Sequence, residues 1–253
     1  MTSFSRFSNQ VAIITGGADG LGKGVALRMA KEGASLAIVD RNQKLLETTV
    51  AEITSSGTPA IGYNADISEE DQVAKTFQRI VKDYKKVDVL VHAAGIIGPT
   101  STPITDYPTE EFDTIYRINL KGSFLVTKYV LPYMTKNNYG RILLISSIAG
   151  KEGNPGMVGY STMKAGMTGL IKGVAKEYAK SGITVNGLAP AVIRTAMNKD
   201  TSAEQLSYML AKIPMGRLGE VEEVAAMVSF IVSRENSFST GFIYDISGGR
   251  ATY

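Results

Sequence analysis

Tyr160 and Lys164 lie four residues apart in Tyr160-Ser161-Thr162-Met163-Lys164, and Ser147 precedes the tyrosine by thirteen. On a helix, positions i and i+4 share one face, with Cβ atoms roughly 5–6 Å apart. An ammonium held beside a phenol favours the phenolate, so this spacing predicts a tyrosine pKa pulled below its usual value of about 10. A phenol that ionises near neutrality is a general base for an alcohol and, in reverse, a general acid for a ketone. The Ser147 hydroxyl can hydrogen-bond the reacting oxygen and orient it. Such chemistry lacks only a hydride carrier.

A site for that carrier is written near the other end of the chain, in Thr15-Gly16-Gly17-Ala18-Asp19-Gly20-Leu21-Gly22. It follows the apolar run Val11-Ala12-Ile13-Ile14, which reads as a buried parallel strand. It opens into Lys23 to Glu32, where Val25, Leu27, Met29 and Ala30 give a helix its apolar face. Strand, glycine turn and helix together make a dinucleotide site: glycines admit the pyrophosphate to the backbone, and the helix N-terminus offers it N–H groups. Gly16, Asp19, Gly20, Leu21 and Gly22 are the candidate contacts. A second strand, Ser35 to Val39, ends on Asp40, about 20 residues on, where a carboxylate meets the adenosine ribose 2′-hydroxyl.

The order of these motifs resembles the short-chain dehydrogenase/reductase family, in its common form of about 250 residues, over nearly the whole chain. Thr-Gly-x-x-x-Gly-x-Gly stands as Thr15, Gly16, Gly20 and Gly22. The family's acidic residue near the adenine matches Asp66, followed by Ile67. Its Asn-Asn-Ala-Gly motif is altered to His92-Ala93-Ala94-Gly95, and its Pro-Gly motif to Pro190-Ala191. Asn119, Ser147, Tyr160 and Lys164 match the family's catalytic tetrad. The resemblance implies that Lys164 also holds the nicotinamide ribose, and that Asn119 holds a water linking Lys164 to solvent. It further implies that Ile193 and Thr195 hold the carboxamide, and that four copies assemble. His92, the only histidine, falls at a position the family uses for structure. Ser146 remains the alternative to Ser147, a helix-interior polar role the alternative for Asn119, and a helix-capping role the alternative for Asp66.

The elements that must position these groups alternate. Gln43 to Ser56 reads as a helix stopped by Gly57, and Ala60 to Asn64 as a short strand. Ser68 is expected to cap the next helix, with Glu69, Glu70 and Asp71 suited to its dipole. Strands follow at Val87 to Val91, Arg141 to Ile145, Ile183 to Leu188 and Phe242 to Ile246. Between them come a long helical stretch from Thr109 to Lys136, broken or kinked at Pro132, and helices at Val158 to Ser181 and Glu220 to Ser233. Repeated β–α alternation predicts an α/β fold: a single-domain, doubly wound (Rossmann) parallel seven-stranded sheet flanked by helices. Ligands of such sheets bind at strand carboxyl ends. The glycine turn, Asp40, Asp66, Ala93 to Gly95, Ser146-Ser147 and Pro190 all fall there.

Composition narrows the function classes. The 253 residues suit one domain. With no cysteine there is no disulfide, thiolate nucleophile or cysteine-bound metal, and nothing in the sequence calls for a metal. A net charge of +3 without runs of like charge gives no nucleic-acid arm. No apolar stretch approaches the ~18 residues of a membrane span, and the start lacks a signal peptide's apolar core, so a cytoplasmic protein is expected.

Charge also selects the cofactor. Asp40 accepts from a 2′-hydroxyl and repels a 2′-phosphate, which favours NAD over NADP despite Arg41 next door. The substrate pocket is expected from Ala149 to Met157, Ile96, Ile97 and Arg194 to Ile213. Glu152, Asn154, Arg194 and Asn198 would suit a sugar, polyol or sugar acid; Ile96, Ile97, Met157 and Met197 would suit a cyclic alcohol. The tail Gly248 to Tyr253 is placed by the resemblance near a neighbouring subunit's site. The function expected is NAD-dependent interconversion of a small secondary alcohol and its ketone. An NADPH-dependent 3-oxoacyl-carrier-protein-type reductase and a non-catalytic cofactor-binding protein are the alternatives.

Overall fold

Hydrophobic residues in successive strands point alternately to two cores. In β1 (Val11–Thr15), Ala12 and Ile14 join one apolar cluster and Ile13 the other. The same division holds for Leu36 and Ile38 against Ala37 and Val39 in β2 (Ser35–Asp40). A strand buried on both faces needs helices on both, and the chain supplies them. The computed structural model describes residues 5–195, 203–251 and 253.

Seven parallel strands lie in the order β3-β2-β1-β4-β5-β6-β7. The remaining strands are β3 (Ala60–Asn64), β4 (Val89–His92), β5 (Gly140–Ile145), β6 (Ile183–Pro190) and β7 (Ile243–Ile246). One face is covered by α1 (Gly20–Lys31) through Val25 and Met29, and by α2 (Gln43–Ser55) through Leu46 and Ile53. The other carries α3 (Glu70–Tyr84) through Phe77 and Ile80. The chain reverses its winding between β1 and β4, the switch point where such sheets open a crevice.

The helical stretch from Thr109 to Lys136 differs from the expectation. It has three parts: α4 (Thr109–Ile115), a π-helical turn (Tyr116–Lys121) and α5 (Gly122–Lys136). The irregularity lies at the π turn, which holds the buried Asn119. Pro132 sits inside α5 without ending it. It and Lys128 are exposed, so water can reach the Lys128 carbonyl that the proline leaves without a donor. Ser68 does not cap α3. The Asp66 carboxylate takes both its backbone N–H (2.9 Å) and its hydroxyl (2.8 Å), and Glu69 stands at the cap.

A short α6 (Ala149–Glu152) precedes α7 (Val158–Tyr178), which carries Tyr160 and Lys164. Then come α8 (Ala203–Ala211) and α9 (Val221–Ile231), the latter opened by a reciprocal Glu220–Glu223 capping box. Helices α5 and α7 complete the second face through Val130, Met134, Met167 and Ile171, and α9 completes the first through Val224 and Val228. Among the described residues no helix is long and apolar enough to cross a membrane.

Candidate active site

The turn after β1 is built so tightly that only glycine fits two of its positions. Gly16 has φ +67°, donates to the Val39 carbonyl at 2.8 Å, and lies so close to the end of β4 that a Cβ there would sit 2.6 Å from the Ala94 nitrogen. A Cβ on Gly22 would lie 2.1 Å from the Gly16 carbonyl oxygen. Gly20 is different: at φ +53° it has open space on its Cβ side. Asp19 caps α1, its Oδ1 accepting the Gly20 N–H at 2.7 Å. The next N–H groups of that turn, on Leu21 and Gly22, have no partner inside the helix and are donors for an anion. These groups fit a dinucleotide pyrophosphate.

Beside the turn, Asp40 ends β2. Its Oδ2 accepts the Ala18 N–H at 3.2 Å and its Oδ1 the Asn42 N–H at 2.9 Å, so the carboxylate is fixed in orientation. Arg41, Asp66 and Ile67 line the same end of a cleft of about 1030 Å³. Ala93, Ala94, Gly95, Pro190, Ile193 and Thr195 line its middle. The altered motifs are accommodated. Where Ala93 offers no side-chain bond, the ends of β1 and β4 are joined by Ala93 N–H to the Thr15 carbonyl (3.0 Å) and by Thr15 Oγ1 to His92 Nδ1 (2.7 Å). Ala191 does not have positive φ, so its methyl introduces no backbone strain there.

Ser147, Tyr160, Lys164 and Asn119 converge at the end of β5. The two adjacent serines divide their work: Ser146 donates to the Lys164 carbonyl at 3.1 Å, fastening α7 to the strand, while Ser147 bonds the Tyr160 hydroxyl. Ser147 Oγ also accepts the Ala149 N–H at 3.1 Å, which leaves its own proton for the tyrosine or a substrate oxygen. Lys164, 5% exposed, donates from Nζ to the Ile145 carbonyl at 2.7 Å. Its Nζ stands 5.7 Å from the centre of the Tyr160 ring.

The electrostatics correct the expectation for the tyrosine. Burial pushes the Tyr160 pKa above its ordinary value, and the Ser147 hydrogen bond, rather than Lys164, draws it back down. Burial lowers Lys164 to about 8. His92 is lowered to about 3, first by burial and then by the Lys164 charge, so it stays neutral and serves as a tie between strands. Asn119 is not directed at the tyrosine. Its amide grips the Ile96 backbone through both atoms, accepting from Ile96 N–H at 2.9 Å and donating to Ile96 O at 2.8 Å.

Beyond the tyrosine the cleft is bounded by Ile96, Ile97, Asn154 and Met157, as the sequence suggests, and by Tyr208 and Lys212 from the segment containing α8. Two loops meet here: Thr102 N–H reaches the Gly156 carbonyl at 3.1 Å. Arg194 does not line the cleft; it is exposed and paired with Glu220 at 3.1 Å. Glu152 does not line it either, being turned to Arg250. Met197 and Asn198 lie outside the described residues. The tail folds along its own chain: Tyr253 donates to the Lys151 carbonyl at 2.8 Å, and Arg250 enters the cleft lining. Arg250 was expected only as part of a tail near a neighbouring subunit's site, not as a residue lining this chain's own cleft.

Comparison with known proteins agrees with this architecture. A family model described as enoyl-(acyl carrier protein) reductase matches residues 16–251. A 2-dehydro-3-deoxy-L-rhamnonate dehydrogenase (NAD(+)) of Sphingomonas sp. (strain SKA58) is 43% identical over 248 residues, covering 98% of each chain. A 3-oxoacyl-acyl-carrier-protein reductase of Thermotoga maritima is 37% identical over 244 residues, 96% of this chain and 98% of that protein. The crystal structure of NAD+-bound xylitol dehydrogenase superposes with a TM-score of 0.91 at 32% identity, covering 96% of this chain and 99% of the other.

Proposed function

The chain belongs to the short-chain dehydrogenase/reductase family and acts on CH–OH groups, and we propose that it does so with NAD on a small polyhydroxylated secondary alcohol. One observation carries this reading: a single cleft joins the glycine turn and Asp40 to Ser147, Tyr160 and Lys164. When bound, NAD supplies the hydride acceptor. The protein's part is positional and protonic. Ser147 holds the reacting oxygen, and Tyr160 takes the hydroxyl proton in oxidation and returns one in reduction. Lys164 carries positive charge beneath the phenol and provides donors for ribose hydroxyls. Asn119 fixes Ile96 and so the wall of the cleft, and the family resemblance implies that it also holds a water linking Lys164 to solvent. General acid–base help of this kind accelerates a reaction by about 10²–10⁴-fold, and the remainder comes from holding the reactants together. Asp40 supports NAD over NADP, because an oriented carboxylate accepts from a 2′-hydroxyl and repels a phosphate. The names of the Sphingomonas and xylitol relatives support the same choice.

The second reading, a 3-oxoacyl-carrier-protein-type reductase using NADPH, is favoured by the Thermotoga relative and opposed by Asp40. Rates with NAD and NADP on polyols, sugar acids, cyclic alcohols and 3-oxoacyl esters separate the two. NADPH-only activity on the esters would overturn the proposal. In the same assay Tyr160→Phe is expected to lower kcat by about 10²–10⁴-fold while NAD still binds. Activity surviving intact in that variant would remove the mechanism. The chain is read as one domain that assembles as a homotetramer, which sedimentation of the 27.1 kDa protein checks.

A further inference from the structure

Carboxylates are confined to one end of the cleft, where Arg41 stands among them, and Lys164 lies between the two ends. The carboxylates that line the cleft, Asp19, Asp40 and Asp66, all stand at the end formed by the turns after β1, β2 and β3. At the opposite end, past Tyr160, the charged side chains in the lining are Lys212 and Arg250. The arginine is built into place. Its side chain is 7% exposed; Nε donates to Glu152 Oε2 at 2.9 Å and Nη2 to Asn154 Oδ1 at 3.0 Å. A guanidinium has five N–H donors in a planar fork. Among the described residues Nη1 makes no hydrogen bond, so the fork is oriented by its neighbours with donors to spare.

The segment that carries Arg250 is itself anchored. Asp245 accepts from Lys151 Nζ at 3.2 Å and from the Ser247 N–H at 3.0 Å, and Ser247 Oγ accepts the Ala251 N–H at 3.1 Å. Glu152 pairs with the guanidinium through Nε and Nη2 (2.8 Å) from outside the cleft lining, its side chain 28% exposed, so the pair orients Arg250 while the Nη1 donors stay available to a second anion.

From this arrangement we infer that Arg250 is a specificity-determining residue that binds a carboxylate on the substrate. The ligand class is then a small hydroxylated carboxylic acid, whose carboxylate sits against Arg250 while its secondary alcohol reaches Tyr160. A planar carboxylate matches the guanidinium fork, whereas an uncharged polyol leaves that donor to water. Lys212, partly buried at the rim beside Tyr208, adds positive charge on the approach. The inference rests on the dehydrogenase reading and narrows its substrate.

Xylonate and xylitol, which differ at one end only, test it. With saturating NAD the wild-type protein is expected to favour the acid in kcat/KM. Arg250→Gln is expected to raise KM for xylonate by about 10- to 100-fold, the usual scale of a hydrogen bond to a charged group, and to change kcat and the xylitol KM by less than about 3-fold. Arg250→Lys, which keeps the charge and loses the fork, should fall between. Glu152→Gln removes a competing carboxylate and should lower the xylonate KM; a purely structural Arg250–Glu152 contact predicts no gain. Equal use of both compounds by the wild type, or an equal rise of both KM values in Arg250→Gln, would overturn the inference. Titration calorimetry of xylonate into NAD-saturated Tyr160→Phe protein, with and without Arg250→Gln, reads the same contact without turnover. Binding that depends on Arg250 there supports it, and binding indifferent to Arg250 overturns it. Failure of every alcohol to reduce NAD would instead sink the dehydrogenase reading alone.

Discussion

Tyr160 is held by two opposed influences, a surrounding that resists its charge and a serine that favours it. The lysine beneath it shows the same conflict in a form that stability measurements can read. Its folded pKa of about 8 lies below the usual 10.5, so between those values the unfolded chain binds the extra proton and stability rises with pH. Below pH 8 both states are protonated and the full cost of the buried charge applies, up to about 3 kcal/mol. Lys164→Met removes that cost but orphans the Ile145 carbonyl, at about 1–3 kcal/mol. Its melting temperature relative to wild type should therefore be highest below pH 8 and decline towards pH 10. A difference independent of pH would show that the lysine titrates normally. At the cofactor end, Asp40→Ser removes a charged acceptor and should cost NAD about 10- to 100-fold in kcat/KM while improving NADP, as initial rates will show. Asp40 was legible because its place is set locally, by a strand end and a fixed offset from the glycines. The Arg250–Glu152 contact was not, because its partners are 98 positions apart and only the folded tail brings them together.

At the scale of elements, the turn after β1 separates two uses of glycine that look alike in the sequence. Gly22→Ala puts a methyl into the Gly16 backbone and should destabilise the protein by several kcal/mol, since neither side can yield. Gly20→Ala meets no atom and costs only about 1–2 kcal/mol of left-handed strain, but the residue lines the cleft in the turn proposed to hold the pyrophosphate. It should weaken NAD binding more than it lowers the melting temperature, and paired calorimetry and thermal denaturation will compare the two. Strand and helix alternation was readable for the sheet and its flanking helices because buried parallel strands and amphipathic helices have different periods, as Val11 to Ile14 and Val25 to Ala30 show; α6 and α8, outside that alternation, were not expected. The π turn was not. Tyr116 to Lys121 carries no composition that distinguishes a wide turn from an ordinary one, and Pro132, the visible helix breaker, drew attention one element too late. Likewise Ser68 had the right residue type for a cap, and what sequence could not disclose was that Asp66 already held it.

For the whole molecule, the sheet gathers six strand ends into one crevice, and the tail closes its far side. The alternating cores made the order of layers predictable, and the family pattern did the same for the groups along the crevice floor. Neither fixed how charge would be distributed along its length. With three carboxylates and one arginine at one end, and Lys212 and Arg250 at the other, the crevice carries a net dipole along its length. A dipole of that kind orients an incoming anion before contact, and mobile ions erase the effect over about 10 Å at 0.1 M. Raising sodium chloride from about 0.05 to 0.5 M should therefore slow capture of an acidic ligand several-fold in stopped-flow mixing and leave a neutral one of equal size almost untouched. The enzyme's selectivity would then be a property of its medium as well as of its residues, sharpest in dilute buffer and blunted in brine.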